Sequence, residues 1–154
     1  MRFRLRLLLP LLAIALVSSC SESGPFVPSI ESTNFDPSLN VDLAASTKTA
    51  SGLYYRDIVV GAGAQVPTAP GASVTTSYAG YLRNGVMFDD GDLPAFTTGT
   101  GAVIAGYDEG VRGMRVGGQR QLIIPPNLGY GGSRVGSIPA NSILVFFVTL
   151  SATN

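Results

Sequence analysis

Hydrophobic and polar positions change texture three times along the chain. Residues 7–17 form one apolar run, Leu7 to Val17, broken only by Pro10. From Cys20 to about Ala50 the apolar residues stand alone (Phe26, Ile30, Phe35, Leu39) among Ser, Thr, Asn and Pro, with no helical or strand period. From Gly52 onward, short apolar segments alternate with Gly, Pro and Asn-Gly, which is the pattern of an antiparallel sheet. Leu53–Val60, Val74–Leu82, Val86–Asp89, Gln119–Ile124 and Ser142–Leu150 read as strands, with a further extended piece at Ala95–Thr98. Val74, Thr76 and Tyr78 share one side of theirs, and Asn84-Gly85 predicts a type I′ hairpin turn into the next. Asp89-Asp90-Gly91-Asp92 reads as an acidic loop. Tyr107, Val111 and Met114 recur at helical spacing with Asp108 and Glu109 in the first turn, predicting one short amphipathic helix over Tyr107–Met114. The last strand is apolar at nearly every position from Ile143 to Val148, so it is expected to be central and buried on both faces. About five strands and one short helix make an α+β domain.

This organisation divides the chain at 1–19, 20–51 and 52–154. Arg2, Arg4 and Arg6 ahead of the apolar run have the form of a signal segment, and the run is shorter than the roughly 20 residues a membrane span needs. Small residues precede Cys20, the one cysteine in the chain. That junction resembles a lipoprotein cleavage site, which makes 1–19 a signal peptide and Cys20 the lipidated residue. The expected location is the bacterial cell envelope, lipid-anchored and periplasm-facing, at the outer membrane. Residues 20–51 read as a flexible tether, with Val41–Ala45 the stretch suited to touch the domain, because isolated apolar groups bury too little to offset ordering entropy.

Composition narrows the chemistry. Ten Lys and Arg balance ten Asp and Glu, but the segment 1–19 holds three Arg and no acid, so residues 20–154 are mildly acidic. No basic field exists for nucleic acid. The absence of His excludes His-dependent triads and His-ligated zinc, and a single Cys excludes an intrachain disulfide. The acids at 89–92 lack the spacing of a calcium loop, and Gly99-Thr-Gly101 lacks the third Gly of a dinucleotide fingerprint. No metal and no cofactor are expected.

Taken in order, Ser77-Tyr78-Ala79-Gly80-Tyr81-Leu82, Phe88-Asp89, Val103-Ile104-Ala105-Gly106-Tyr107-Asp108, Met114-Arg115-Val116-Gly117-Gly118, Ile124-Pro125-Pro126, Leu128-Gly129-Tyr130-Gly131, Ile138-Pro139-Ala140-Asn141 and Leu144-Val145-Phe146-Phe147 closely resemble the FKBP-type peptidyl-prolyl isomerases. The resemblance runs over residues 52–150. It implies an antiparallel half-barrel wrapped on one short helix, with an apolar pocket that accelerates rotation of X-Pro bonds. It assigns Tyr78, Phe88, Asp89 and Tyr130 to catalysis, and Phe96, Val103, Ile104, Tyr107, Ile138 and Phe146 to substrate binding. The Ile104 N–H and the Tyr130 hydroxyl are the expected donors to substrate carbonyls, and the Tyr78 hydroxyl is expected to hold Asp89. Tyr107 stands where the family usually has Trp, and Pro94-Ala95-Phe96 where it often has two Phe. The implied ligands are proline-containing polypeptides and a macrolide inhibitor, and the absence of a long extra helix suggests a monomer. Rotation makes and breaks no covalent bond, which agrees with a chain lacking His and a paired Cys. A non-catalytic peptide-binding module or chaperone using the same pocket is the alternative reading.

Overall fold

A computed structural model of the chain describes residues 27–154; the segment 1–19 and Cys20 lie outside the described residues. The elements in order are β1 (Thr47–Lys48), β2 (Tyr54–Val59), β3 (Ser73–Leu82), β4 (Met87–Thr97), α1 (Ala105–Val111), β5 (Gln119–Ile124) and β6 (Leu144–Thr153). Short 3₁₀ turns occupy Pro37–Leu39 and Pro126–Leu128. The strands form one antiparallel sheet in the order β1-β2-β5-β6-β3-β4. The fold class expected from the sequence is the one observed.

β6 lies between β5 and β3 and is buried on both sides. Leu144, Phe146, Val148 and Leu150 point into the main core with Leu122 and Ile124 of β5. Val145 joins Ile123, Ile143 and Tyr54 in a second cluster on the opposite face. A period of two along each strand places these sets on opposite faces. The nearly unbroken apolar run therefore reports two cores, one on each side of the sheet.

What covers the second face corrects the reading of residues 20–51 as a flexible tether. In the described part, Ile30 and Leu39 are 3% and 2% exposed, within the cluster of Tyr54, Ile123, Ile143 and Val145, and Phe35, Val41 and Leu43 pack against it. Polar groups fix the path: Gln121 Nε2 donates to the Leu39 carbonyl at 2.7 Å, and Arg56 donates to the Asn40 carbonyl at 2.6 Å. The Tyr54 hydroxyl donates to Glu31 at 2.7 Å, Lys48 pairs with Glu31, and β1 pairs with β2 through Thr47 opposite Tyr55. The segment crosses the sheet as irregular chain, so its anchors have no period even though Ile30 and Leu39 are buried and Phe35, Val41 and Leu43 partly so.

Three local readings change in the structure. Asn84 does not take the left-handed conformation a type I′ turn requires; Gly85 alone does, at φ 81°. The Gly85 N–H donates to the Leu82 carbonyl at 3.0 Å and the Leu82 N–H to the Val86 carbonyl at 2.9 Å, which is a type I turn closed by a left-handed glycine. The acidic residues 89–92 and all but Thr98 of the extended piece at 95–98 belong to one long edge strand, β4, in which Asp89 faces Gly80 and Asp92 faces Ser77. Charges along an edge strand discourage pairing with other chains. The helix begins and ends earlier than its apolar spacing suggested, at Ala105–Val111.

Seven residues are too few for a helix to persist unaided in water, and two of them are glycines, each costing about 1 kcal/mol relative to Ala. Packing explains both. A Cβ on Gly106 would lie 2.5 Å from Ile124, and one on Gly110 2.5 Å from Leu122, so the pair, one turn apart, lets α1 settle directly onto β5. Arg120 fastens the far end. Its guanidinium donates to the carbonyls of Gly110 and Arg112 at 2.9 and 3.0 Å, pairs with Asp57 at 2.7 Å and stacks 4.4 Å from the Tyr55 ring.

Candidate active site

The face of the sheet that receives α1 carries an aromatic cluster built from four parts of the chain. β3 supplies Tyr78, β4 supplies Phe88 and Phe96, α1 supplies Tyr107 and β6 supplies Phe146. The Phe146 ring is the hub: Phe88 meets it edge-on at 5.4 Å, Tyr107 edge-on at 5.5 Å and Tyr78 tilted at 6.0 Å. Tyr78 and Phe96 each lie 6.2 Å from Tyr107. Edge-to-face pairs at these separations add about 0.5–1.5 kcal/mol each beyond burial. Room for the hub comes from Gly80, where a Cβ would fall 2.6 Å from Phe88 and 2.9 Å from Phe146.

Tyr107 lies at the bottom of the cluster, 2% exposed. Its hydroxyl shares a 2.8 Å hydrogen bond with Thr76, itself 1% exposed. Burial pushes the phenol up to about 12, and the Thr76 bond opposes that shift only in part. At the rim, the Tyr78 hydroxyl donates to Asp89 Oδ2 at 2.6 Å. That bond to the carboxylate, followed by burial, raises Tyr78 to about 12, so it remains a donor at neutral pH. Asp89 also accepts the Asp90 N–H at 3.1 Å, which leaves the carboxylate held on an exposed strand by one phenol and one amide.

Ile104 takes an extended conformation immediately before α1, and its carbonyl accepts the N–H groups of Tyr107 and Asp108. Its own N–H precedes the helix and stands outside the helical ladder. Tyr130 and Ile138 come from the loop between β5 and β6. Ile138 is buried in the main core, while Tyr130, Val103 and Ile104 are partly buried against it. Nine of the ten residues singled out for the site thus belong to or touch one apolar cluster, and the tenth, Asp89, is tied to it through Tyr78.

The family profile described as FKBP-type peptidyl-prolyl cis-trans isomerase matches residues 65–151. The chain belongs to this family. FK506-binding protein 4 of Mycosarcoma maydis is 46% identical over 68% of this chain and 28% of its own length. The FKBP-type peptidyl-prolyl cis-trans isomerase FkpA of Buchnera aphidicola is 41% identical over 71% of this chain and 44% of its own. The chain therefore spans less than half the length of these two relatives. The crystal structure of FkpA from Escherichia coli superposes with a TM-score of 0.63 at 34% identity, covering 71% of this chain and 52% of that one.

Two features of this FKBP-type domain escaped the sequence reading of the site. Thr76 is the partner that the Tyr107 hydroxyl requires, and Gly80 is the gap into which Phe88 and Phe146 fit. The signal for Thr76 was present: it shares a strand face with Tyr78, and a buried phenol in place of Trp must find a hydrogen bond. Gly80 lies within the Ser77–Leu82 motif, but only the register that places it opposite Phe146 and Asp89 reveals what it makes room for. No group of three or more potential metal ligands occurs among the described residues.

Proposed function

We propose that the chain is a peptidyl-prolyl cis-trans isomerase acting on proline-containing polypeptides in the bacterial envelope. The observation that carries this reading is the aromatic floor and walls of Tyr107, Phe146, Phe88 and Phe96 with the Tyr78–Asp89 pair at their rim. Rotation about an X-Pro bond costs about 18–20 kcal/mol because amide resonance is lost. A prolyl ring seated among these rings brings its imide carbonyl out of water, which weakens the resonance form that separates charge. Asp89, held by Tyr78, stands beside that carbonyl as it turns, and the Ile104 N–H and Tyr130 hydroxyl bind the flanking carbonyls. Interactions stronger with the twisted imide than with the planar one lower the barrier. No nucleophile, metal or cofactor enters this scheme.

The assay is a protease-coupled or exchange-NMR measurement on Xaa-Pro tetrapeptides with residues 21–154. A rate increase at micromolar protein supports the reading, and its absence overturns it. The same domain operates in this proposal on a lipid anchor: Cys20 after the apolar run is acylated, residues 1–19 are removed, and the protein faces the periplasm from the outer membrane. Mass spectrometry of the membrane-extracted N-terminus is expected to show diacylglyceryl-modified Cys20, and Cys20→Ser to move the protein to the soluble fraction. Retention of the serine variant in membranes would remove the anchor from the proposal.

A further inference from the structure

A cleft of about 610 Å³ opens where β3 turns into β4, and it shares no lining residue with the aromatic site. That volume is within the range of ligand-binding sites. Its walls come from three separate places: the covering segment around Asn34, the β3–β4 turn at Arg83 and Asn84, and the end of the β5–β6 loop at Pro139 and Asn141. We propose that this cleft receives an extended, acidic stretch of the client polypeptide that flanks the proline held in the aromatic site. The proposal rests on the isomerase reading for the neighbouring site and adds a substrate class to it.

Continuity with the site is the first support. Ile138, buried in the same core as Tyr107 and Phe146, is followed directly by Pro139 of the cleft. The loop that carries both is closed by the Asn141 N–H donating to the Gly131 carbonyl at 2.7 Å, next to Tyr130. On the sheet side, Leu82 opposite Leu144 lines the cleft two residues beyond Gly80 opposite Phe146. Two residues along a strand amount to about 7 Å, so a client extended by a few residues from its prolyl ring, at roughly 3.3 Å each, reaches the cleft.

Chemistry is the second support. Asn34 and Asn141 in the walls carry carboxamides, which both donate and accept and so match the N–H and C=O of an extended main chain, while Asn84 Oδ1 accepts the Val86 N–H at 3.3 Å and leaves its NH₂ as a donor. Asn141 is one of two non-glycine residues with left-handed backbone among the described residues, at φ 56°. Arg83 is the one charged residue in the walls. Among the described residues it takes part in none of the three ion pairs, which join Lys48 to Glu31, Arg112 to Asp108 and Arg120 to Asp57. Asp36, packed against Gly85 of the same turn, is held by Ser38 and does not line the cleft. A guanidinium set among neutral hydrogen-bonding groups selects for a carboxylate on the incoming chain.

The test compares kcat/KM for an Xaa-Pro tetrapeptide with that for the same core extended by five residues, on each side in turn, carrying two Glu or two Lys. With residues 21–154, the acidic extension on one side is expected to raise kcat/KM about tenfold over the tetrapeptide, a difference of about 1.4 kcal/mol, and the basic extension to give no gain. Arg83→Glu is expected to bring the acidic ratio to about one and to transfer the gain to the basic peptide. Equal ratios for the two extensions, or an acidic gain that survives Arg83→Glu, would overturn the proposal. Fluorescence anisotropy of the labelled acidic peptide keeps the question separate from catalysis: loss of binding in Arg83→Glu upholds the cleft even where no peptide is isomerised. Failure of the peptide to bind, with a dimer in sedimentation that Arg83→Glu dissociates, would assign the cleft to a second copy of the chain instead.

Discussion

The two faces of the sheet are built by different means. The inner face receives α1, a regular element whose glycines let it approach β5, and it gathers five aromatic rings with Phe146 and Tyr107 at their centre. The outer face receives residues 27–46, an irregular strap that buries Ile30 and Leu39 and is held by Gln121 and Arg56, which donate to its carbonyls. The apolar strand β6 serves both. Covering by a strap demands burial at a few points only; building a site demands that several side chains meet at fixed angles. Away from the cleft at its end, the outer face is accordingly expected to contribute stability alone, and the inner face both stability and function.

The sharpest way to break the contrast is on the strap. Leu39→Ala is expected to cost about 2–5 kcal/mol in urea unfolding, as for other buried leucines, while the isomerase rate of the folded variant stays at the wild-type value. A loss below about 0.5 kcal/mol would return the segment to a loose tether, since surface changes fall in that range. On the inner face, Thr76→Val leaves the Tyr107 hydroxyl buried without a partner, and about 1–3 kcal/mol of stability should be lost. Unfolding at the wild-type midpoint would mean that the phenol finds another partner. Phe88→Ala opens a partly exposed wall, so kcat/KM should fall about tenfold or more, near 1.4 kcal/mol in the barrier, with a smaller change in stability than Leu39→Ala. The reverse ordering, a large stability loss at unchanged rate, would make Phe88 part of the core rather than the site.

The smallest effect is one of pH. Tyr78 and Tyr107 are raised to about 12 in the folded protein, against about 10 for a free phenol. The folded state therefore holds both protons more tightly than the unfolded chain. Their contribution to stability is fully present below about pH 10 and is lost as pH rises through about 12. Tyrosinate absorbance in a titration should show two tyrosines ionising last, and Tyr78→Phe and Tyr107→Phe should each remove one of them. Removal of the Asp89 charge by Asp89→Asn should bring Tyr78 back toward the ordinary phenol range and leave Tyr107 where it is.

Much of the inner face was legible in the chain. The alternation of Val74, Thr76 and Tyr78, the helical spacing of Tyr107 and Val111, and the ordered motifs from Ser77 to Leu150 pointed to the sheet, the helix and the residues around them. The outer face was not legible, because Ile30, Phe35 and Leu39 are spaced by the route of an irregular strap over the sheet and not by a repeating backbone geometry. The acids 89–92 misled in the opposite direction: their composition suits a loop, but pairing with β3 draws them into an edge strand where side chains remain in water.

The amino-acid sequence by itself determined the period-two strands, the apolar run of β6 that needs cover on both sides, and the family to which residues 65–151 belong. Each of these depends on neighbours along the chain or on an ordered set of motifs. Only the tertiary structure decided what lies on the outer face, that Thr76 satisfies Tyr107, and that Gly80 makes room for Phe88 and Phe146. Those contacts join residues brought together by strand order and register, and no local pattern specifies which distant group will fill a given gap.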